Sequence, residues 1–170
     1  MLKRIIHFID RTNHAISSAV SWLTALMVVT MFGIVVCRYA FNIGSIAIQE
    51  SITYMHAFVF MLAIAHTLKI NGHVRVDIVY QRLSEKGQAI VSILGSVFLL
   101  LPVCIFIIYI SRDYVSSSWS YYEGSREAGG LDGVFLLKSL IPGMAFLLLL
   151  QGLSEALKSI DKLLDKPHGK

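Results

Sequence analysis

Lys138 is the only charged residue in the apolar run 133–154, and it is the first place in this chain to look for chemistry. An ionised side chain inside a bilayer costs about 3 kcal/mol, so an intramembrane charge is a functional candidate by default. Glu50 opens another apolar run on the same side of the membrane. Matched depth and opposite sign predict an ion pair between Glu50 and Lys138; snorkelling of the lysine stem to the headgroups is the blander expectation. Glu50, Tyr54 and Phe58 share a helix face at spacing four. His56 and His66 stand roughly 80° apart on the same helix, at about 100° per residue. His14 and His66 lie near one membrane face, which makes a bis-histidine haem and an electron-transfer anchor the alternative function to weigh. His56 has no histidine at its depth on another run, and packing histidines are the favoured reading. HExxH, CxxC, GxSxG and GxxxxGK[ST] are all absent, so no catalytic or metal site and no cofactor is expected.

The elements that must position these groups follow from the charge pattern. Asp, Glu, Lys and Arg are missing from residues 12–37, 51–68 and 87–111, and run 133–154 holds Lys138 alone. A hydrocarbon core of roughly 30 Å needs about 20 apolar residues as helix. In lipid the backbone must satisfy itself, which selects helices. The expected fold is an all-α integral membrane protein, one domain over 1–170, with four transmembrane helices at about 15–37, 51–69, 87–111 and 133–155.

Loop charges predict the orientation. Eleven basic residues lie before the first run, between the second and third, or after the fourth; the other two loops hold Arg38, Arg112 and Arg126. Basic loops stay cytoplasmic, so both termini are expected on the cytoplasmic side. The net charge of +4 then reports topology, and no basic-aromatic patch points to nucleic acid. The first run is too long for a signal-peptide core, no small-x-small site follows it, and Val36 before Cys37 does not suit lipoprotein processing. Cys37 and Cys104 are expected at different depths and unpaired.

Residues 1–14 read either as an amphipathic interfacial segment or as an extension of the first helix. Ser17, Ser21, Ala25, Gly33 and Cys37 recur at multiples of four, a small-residue stripe suited to close helix packing. Asn71-Gly72 signals a turn, with Asp77 a plausible cap for the helix that follows. Pro102 should bend the third helix. Tyr114, Trp119, Tyr121 and Tyr122 suit a headgroup belt.

Three blocks carry a resemblance: Gly44-Ser45-Ile46-Ala47-Ile48-Gln49-Glu50, His66-Thr67-Leu68, and Gly72-His73-Val74-Arg75-Val76-Asp77. Ser118-Trp119 with Glu123 and Ser125, Gly129-Gly130-Leu131, Lys138, Pro142 and Leu150-Gln151-Gly152 continue it. Together they resemble the small membrane subunit, DctQ type, of tripartite ATP-independent periplasmic (TRAP) transporters. The resemblance covers about residues 44–152 and departs at Gln49 and Ser51, where many relatives carry a Trp and a second acid. It implies a non-enzymatic scaffold or anchor for a large multi-spanning subunit, in uptake of a small organic acid driven by an ion gradient. A periplasmic substrate-binding protein completes such a system, and lipid surrounds the spans. The turn with His73, Arg75 and Asp77 reads either as a solvated cap that sets topology or as a structural element in which Arg75 and Asp77 lock it to the helix ends or to the large subunit, and Glu123 and Arg126 would face the binding protein.

Overall fold

The structure, a computed structural model, describes residues 2–73 and 80–164. Among the described residues five α-helices run in chain order: α1 (Leu2–Phe41), α2 (Ile46–Lys69), α3 (Glu85–Gly95), α4 (Leu101–Ser120) and α5 (Val134–Leu164). A π-helical turn, Ser96–Leu100, joins α3 and α4 into a single rod. Four helical segments among the described residues are long and apolar enough to cross a membrane: Lys3–Phe41, Ile46–Lys69, Glu85–Ser120 and Val134–Leu164. Each contains one of the four apolar runs, and no strand occurs among the described residues. The chain is therefore an all-α, multi-pass membrane protein. Of the expected turn residues, Arg75 and Asp77 lie outside the described residues, and His73 is exposed at their edge.

Local sequence explains where the helices stop. Asn71 adopts a left-handed φ of 54° just past α2, a conformation Asn tolerates better than most residues. This lets the Gly72 amide bond the Thr67 carbonyl at 2.8 Å and the Asn71 amide bond Leu68 at 3.1 Å, the Schellman arrangement that satisfies orphan carbonyls. Tyr122 plays the same part after α4 with a φ of 50°; the Glu123 amide reaches back to the Ser118 carbonyl at 3.0 Å. Ser45 and Ser84 cap α2 and α3 by accepting the amides of Ile48 and Gly87.

α5 is the hub. It packs against α1, α2, α3, the π-turn and α4, whereas α1 rests mainly on α2. Gly152 explains how α5 comes so near the rod: a Cβ there would overlap Leu100 Cδ2. The irregularity expected from Pro102 takes the form of the π-turn immediately before it, with the Leu101 amide bonding the Ser96 carbonyl. Pro142 sits inside α5, where its missing N–H leaves the Lys138 carbonyl without its usual partner.

Between the two readings of residues 1–14, the extension holds: α1 is continuous from Leu2, and Ile6 and Ile9 are buried. Forty residues as helix measure about 60 Å, well beyond a hydrocarbon core. On the small-residue stripe, Ser21, Ala25 and Cys37 are exposed, with Ser17 and Gly33 half-buried. A Cβ added to Gly33 would meet nothing within 4 Å. Most of the stripe thus looks away from the chain's own bundle.

Candidate functional site

Two polar clusters stand at opposite ends of the bundle, and each joins elements that are distant in sequence. At the end carrying Leu2 and Leu164, the Asp10 carboxylate is the centre. Its Oδ1 accepts from Gln151 Nε2 at 3.0 Å and from Ser154 Oγ at 2.9 Å. Its Oδ2 lies 2.8 Å from Lys158 Nζ and 3.8 Å from Lys69 Nζ. Lys158 and Gln151 both also donate to Glu155 Oε1, at 2.7 and 3.0 Å. Asn13 Nδ2 donates to Gln151 Oε1 at 2.8 Å. Gln151 and Ser154 are fully buried and Asn13 nearly so.

A buried carboxylate costs several kcal/mol unless ion pairs and hydrogen bonds replace its water, and here both oxygens are served. The helical period does the positioning. Gln151, Ser154, Glu155 and Lys158 fall at i, i+3, i+4 and i+7 on one face of α5, and Asp10 and Asn13 share a face of α1. Only Gln151 of this group figured in the sequence resemblance. The signal that could have found the α5 members is that polar i, i+3, i+4, i+7 pattern, while nothing local marks Asp10 or Asn13 on α1.

The other cluster gathers around the loop between α4 and α5. Lys138 pairs with Glu123. The expected Glu50–Lys138 pair does not form. The Schellman turn at Tyr122 aims Glu123 back at Lys138, which also lies 3.9 Å from the centroid of the Tyr114 ring, a cation–π geometry. Ser118 Oγ donates to Glu123 at 2.6 Å. The Lys138 ammonium, and then the Ser118 hydroxyl, hold the Glu123 carboxyl below the usual glutamate range.

Glu50 is met by neutral donors. Ser125 Oγ donates to its Oε1, and the Leu131 amide donates to Oε2 at 2.7 Å. The loop ties itself around these bonds: the Ser125 amide donates to the Leu131 carbonyl, and the Glu127 amide to Ser125 Oγ. Gly130 allows the closure, because a Cβ there would overlap Ser125 Oγ and crowd Glu50 Oε2. Arg126 stays exposed, while Glu123 is turned inward to Lys138. Trp119 Nε1 donates to Ser139 Oγ at 2.8 Å, and its ring meets Phe135 edge-on at 4.6 Å. The aromatics expected as a headgroup belt therefore also fasten α4 to α5.

His14 and His66 do meet, with ring centroids 5.0 Å apart and planes tilted by 42°. Axial ligands bind on opposite faces of a porphyrin, and rings already in contact leave no space for one between them. Among the described residues no group of three or more His, Cys, Asp or Glu side chains could hold a metal ion. Cys104 is buried, Cys37 is exposed, and both are free. Chemically the two clusters are clamps: their charges are committed to one another, and they fasten α1 to α5 at one end and α2 and α4 to the α4–α5 loop at the other.

Comparison with known proteins gives a consistent answer. The family described as tripartite ATP-independent periplasmic transporters, DctQ component, matches residues 26–162. A Haemophilus influenzae protein assigned as a TRAP transporter small permease is 28% identical over 123 residues, covering 72% of this chain and 70% of that protein. No solved structure matches the chain.

Proposed function

The chain belongs to the DctQ component family of tripartite ATP-independent periplasmic transporters, and on that premise we propose that it is the scaffold and anchor of such a transporter's large multi-spanning subunit. The observation that carries this is the cross-linking of the helices at both ends of the bundle. Charges at both ends are locked into ion pairs and hydrogen bonds, and no carboxylate stands in the middle of any described span. With those groups engaged in holding the bundle together, the unit suits a scaffold on which a partner can rest. In this reading the large subunit moves a small organic acid inward on an ion gradient, and a periplasmic binding protein delivers it.

The asymmetry of eleven basic loop residues against three supports an inner-membrane orientation with both termini cytoplasmic. The turn bearing His73, Arg75 and Asp77 then lies on the cytoplasmic side, available to the large subunit, and exposed Arg126 faces the binding protein.

Purification of the tagged chain from native membranes in mild detergent tests the proposal. A large polytopic membrane protein recovered in equal stoichiometry is the expected result. Recovery of the chain alone, or with an electron-transfer enzyme, would refute it.

A further inference from the structure

Asn13 Oδ1, Tyr54 Oη and His66 Nδ1 are buried without a hydrogen-bond partner among the described residues, and His56 adds an exposed imidazole in the middle of a span. His56 lies ten residues past the start of α2 and thirteen before its end, about 15 Å and 20 Å along the helix. That is mid-bilayer. The imidazole is exposed, stacked on Phe60 with centroids 6.2 Å apart and planes 16° from parallel. It makes no hydrogen bond to any described residue. Gln49, Thr53, His56 and Phe60 follow one another at i, i+4, i+7 and i+11, so they form a single face. Thr53 is exposed and Phe60 is 66% exposed.

An imidazole cannot snorkel from that depth, and a polar group left unsatisfied in hydrocarbon costs several kcal/mol. The outer face of the rod differs in kind. Phe98, Val103, Phe106 and Ile110 are all well exposed there and wholly apolar, which suits acyl chains.

We infer that the Gln49–Thr53–His56–Phe60 face of α2 is covered in the assembly by a transmembrane helix of the large subunit that presents a hydrogen-bonding side chain opposite His56. The inference rests on the subunit reading above and adds which face is used and what chemistry the partner brings. Hydrogen bonds across membrane helices are modest in strength but specific in geometry. His56 would fix the register of the two helices, with Thr53 and Phe60 packing on either side.

Photo-crosslinking in the co-expressed transporter tests it. A benzophenone-bearing residue replaces Thr53 or Phe60 in one set, and Phe98 or Phe106 in the other. Adducts to the large subunit are expected from the α2 positions and absent from Phe98 and Phe106. Adducts from Phe98 or Phe106 alone, adducts to a second copy of this chain, or no adducts although the large subunit co-purifies would each overturn the assigned face. Failure of the unsubstituted chain to bring down a large subunit would instead remove the subunit reading itself. His56→Leu should weaken co-purification by about threefold to tenfold, and His56→Gln, which keeps a donor and an acceptor, should restore most of it. Equal loss in both variants, or loss in neither, would show that no hydrogen bond is made at His56.

Discussion

Asp10 and Gln151, 141 positions apart in the sequence, are joined by a 3.0 Å hydrogen bond from the Gln151 amide to the Asp10 carboxylate. The bond ties the first helix to the last at the end of the bundle that carries them both. Lys158 and Lys69 neutralise the carboxylate from α5 and α2, so one acid organises three helices.

Gln151→Leu keeps the volume and removes the hydrogen bonds. It takes one donor from Asp10 and leaves Asn13 Nδ2 without its acceptor. A stability loss of roughly 1–3 kcal/mol is expected, read as a lower thermal midpoint in detergent. Lys158→Met should cost more, because it leaves the Asp10 charge with only the longer Lys69 contact. The double variant Asp10→Asn/Lys158→Met should recover part of that loss. Simple additivity would show that the two side chains do not communicate.

Glu50→Gln should loosen the α4–α5 loop and spare the helices. One of the two oxygens that accept from Ser125 and Leu131 becomes an amide nitrogen facing a donor. Exchange of the Leu131 amide hydrogen should accelerate by roughly tenfold, as local opening becomes easier. Protection in the middle of α5 should not change. Uniform acceleration along the chain would mean that Glu50 supports the whole bundle.

Acid should undo the Glu123–Lys138 clamp, with a definite sign. The folded-state pKa of Glu123 is depressed, first by Lys138 and then by Ser118. Its contribution to stability is therefore complete above the unfolded carboxylate value and lost as pH falls through the lower folded one. Glu123→Gln should reduce stability at neutral pH and flatten the acid limb of the pH–stability curve. An unchanged acid limb would assign that limb to other carboxylates.

Gly152→Ala adds one methyl group where α5 meets the π-turn. The new Cβ overlaps Leu100 Cδ2, so the helices must part or Leu100 must leave its rotamer. Overpacking of this kind costs about 1–3 kcal/mol. Leu100→Ala in the same chain should relieve the clash, and a thermal midpoint that does not recover would place the strain elsewhere.

The spans were readable because charge is excluded from lipid: the runs around Val20, Phe58, Val97 and Ala145 need no tertiary knowledge. The partner of Lys138 was not readable in that way. Depth and sign pointed to Glu50, but the left-handed turn at Tyr122 reverses the chain and brings Glu123 to the lysine first. Asp10 is one of several charged residues in segment 1–14, and nothing in its neighbours singles it out. Its role depends on α1 running unbroken from Leu2 so that Asp10 meets Lys158, which no local pattern encodes. Pro102 did mark an irregular region, but nothing in the sequence marked Gly152 as the point where α5 closes on Leu100 of the π-turn.

The lengths of α1 and α2 also bear on the membrane around them. The charge-free part of α1 runs for 26 residues and that of α2 for 18, about 39 Å and 27 Å as helix. The two pack side by side, so a hydrocarbon slab of roughly 30 Å cannot match both when they stand upright. Tilt of α1 or local deformation of the slab must absorb the difference. Acyl-chain length thereby becomes a control on the angle between the first two helices, and a thicker bilayer should swing α1 toward the membrane normal beside the face that carries His56.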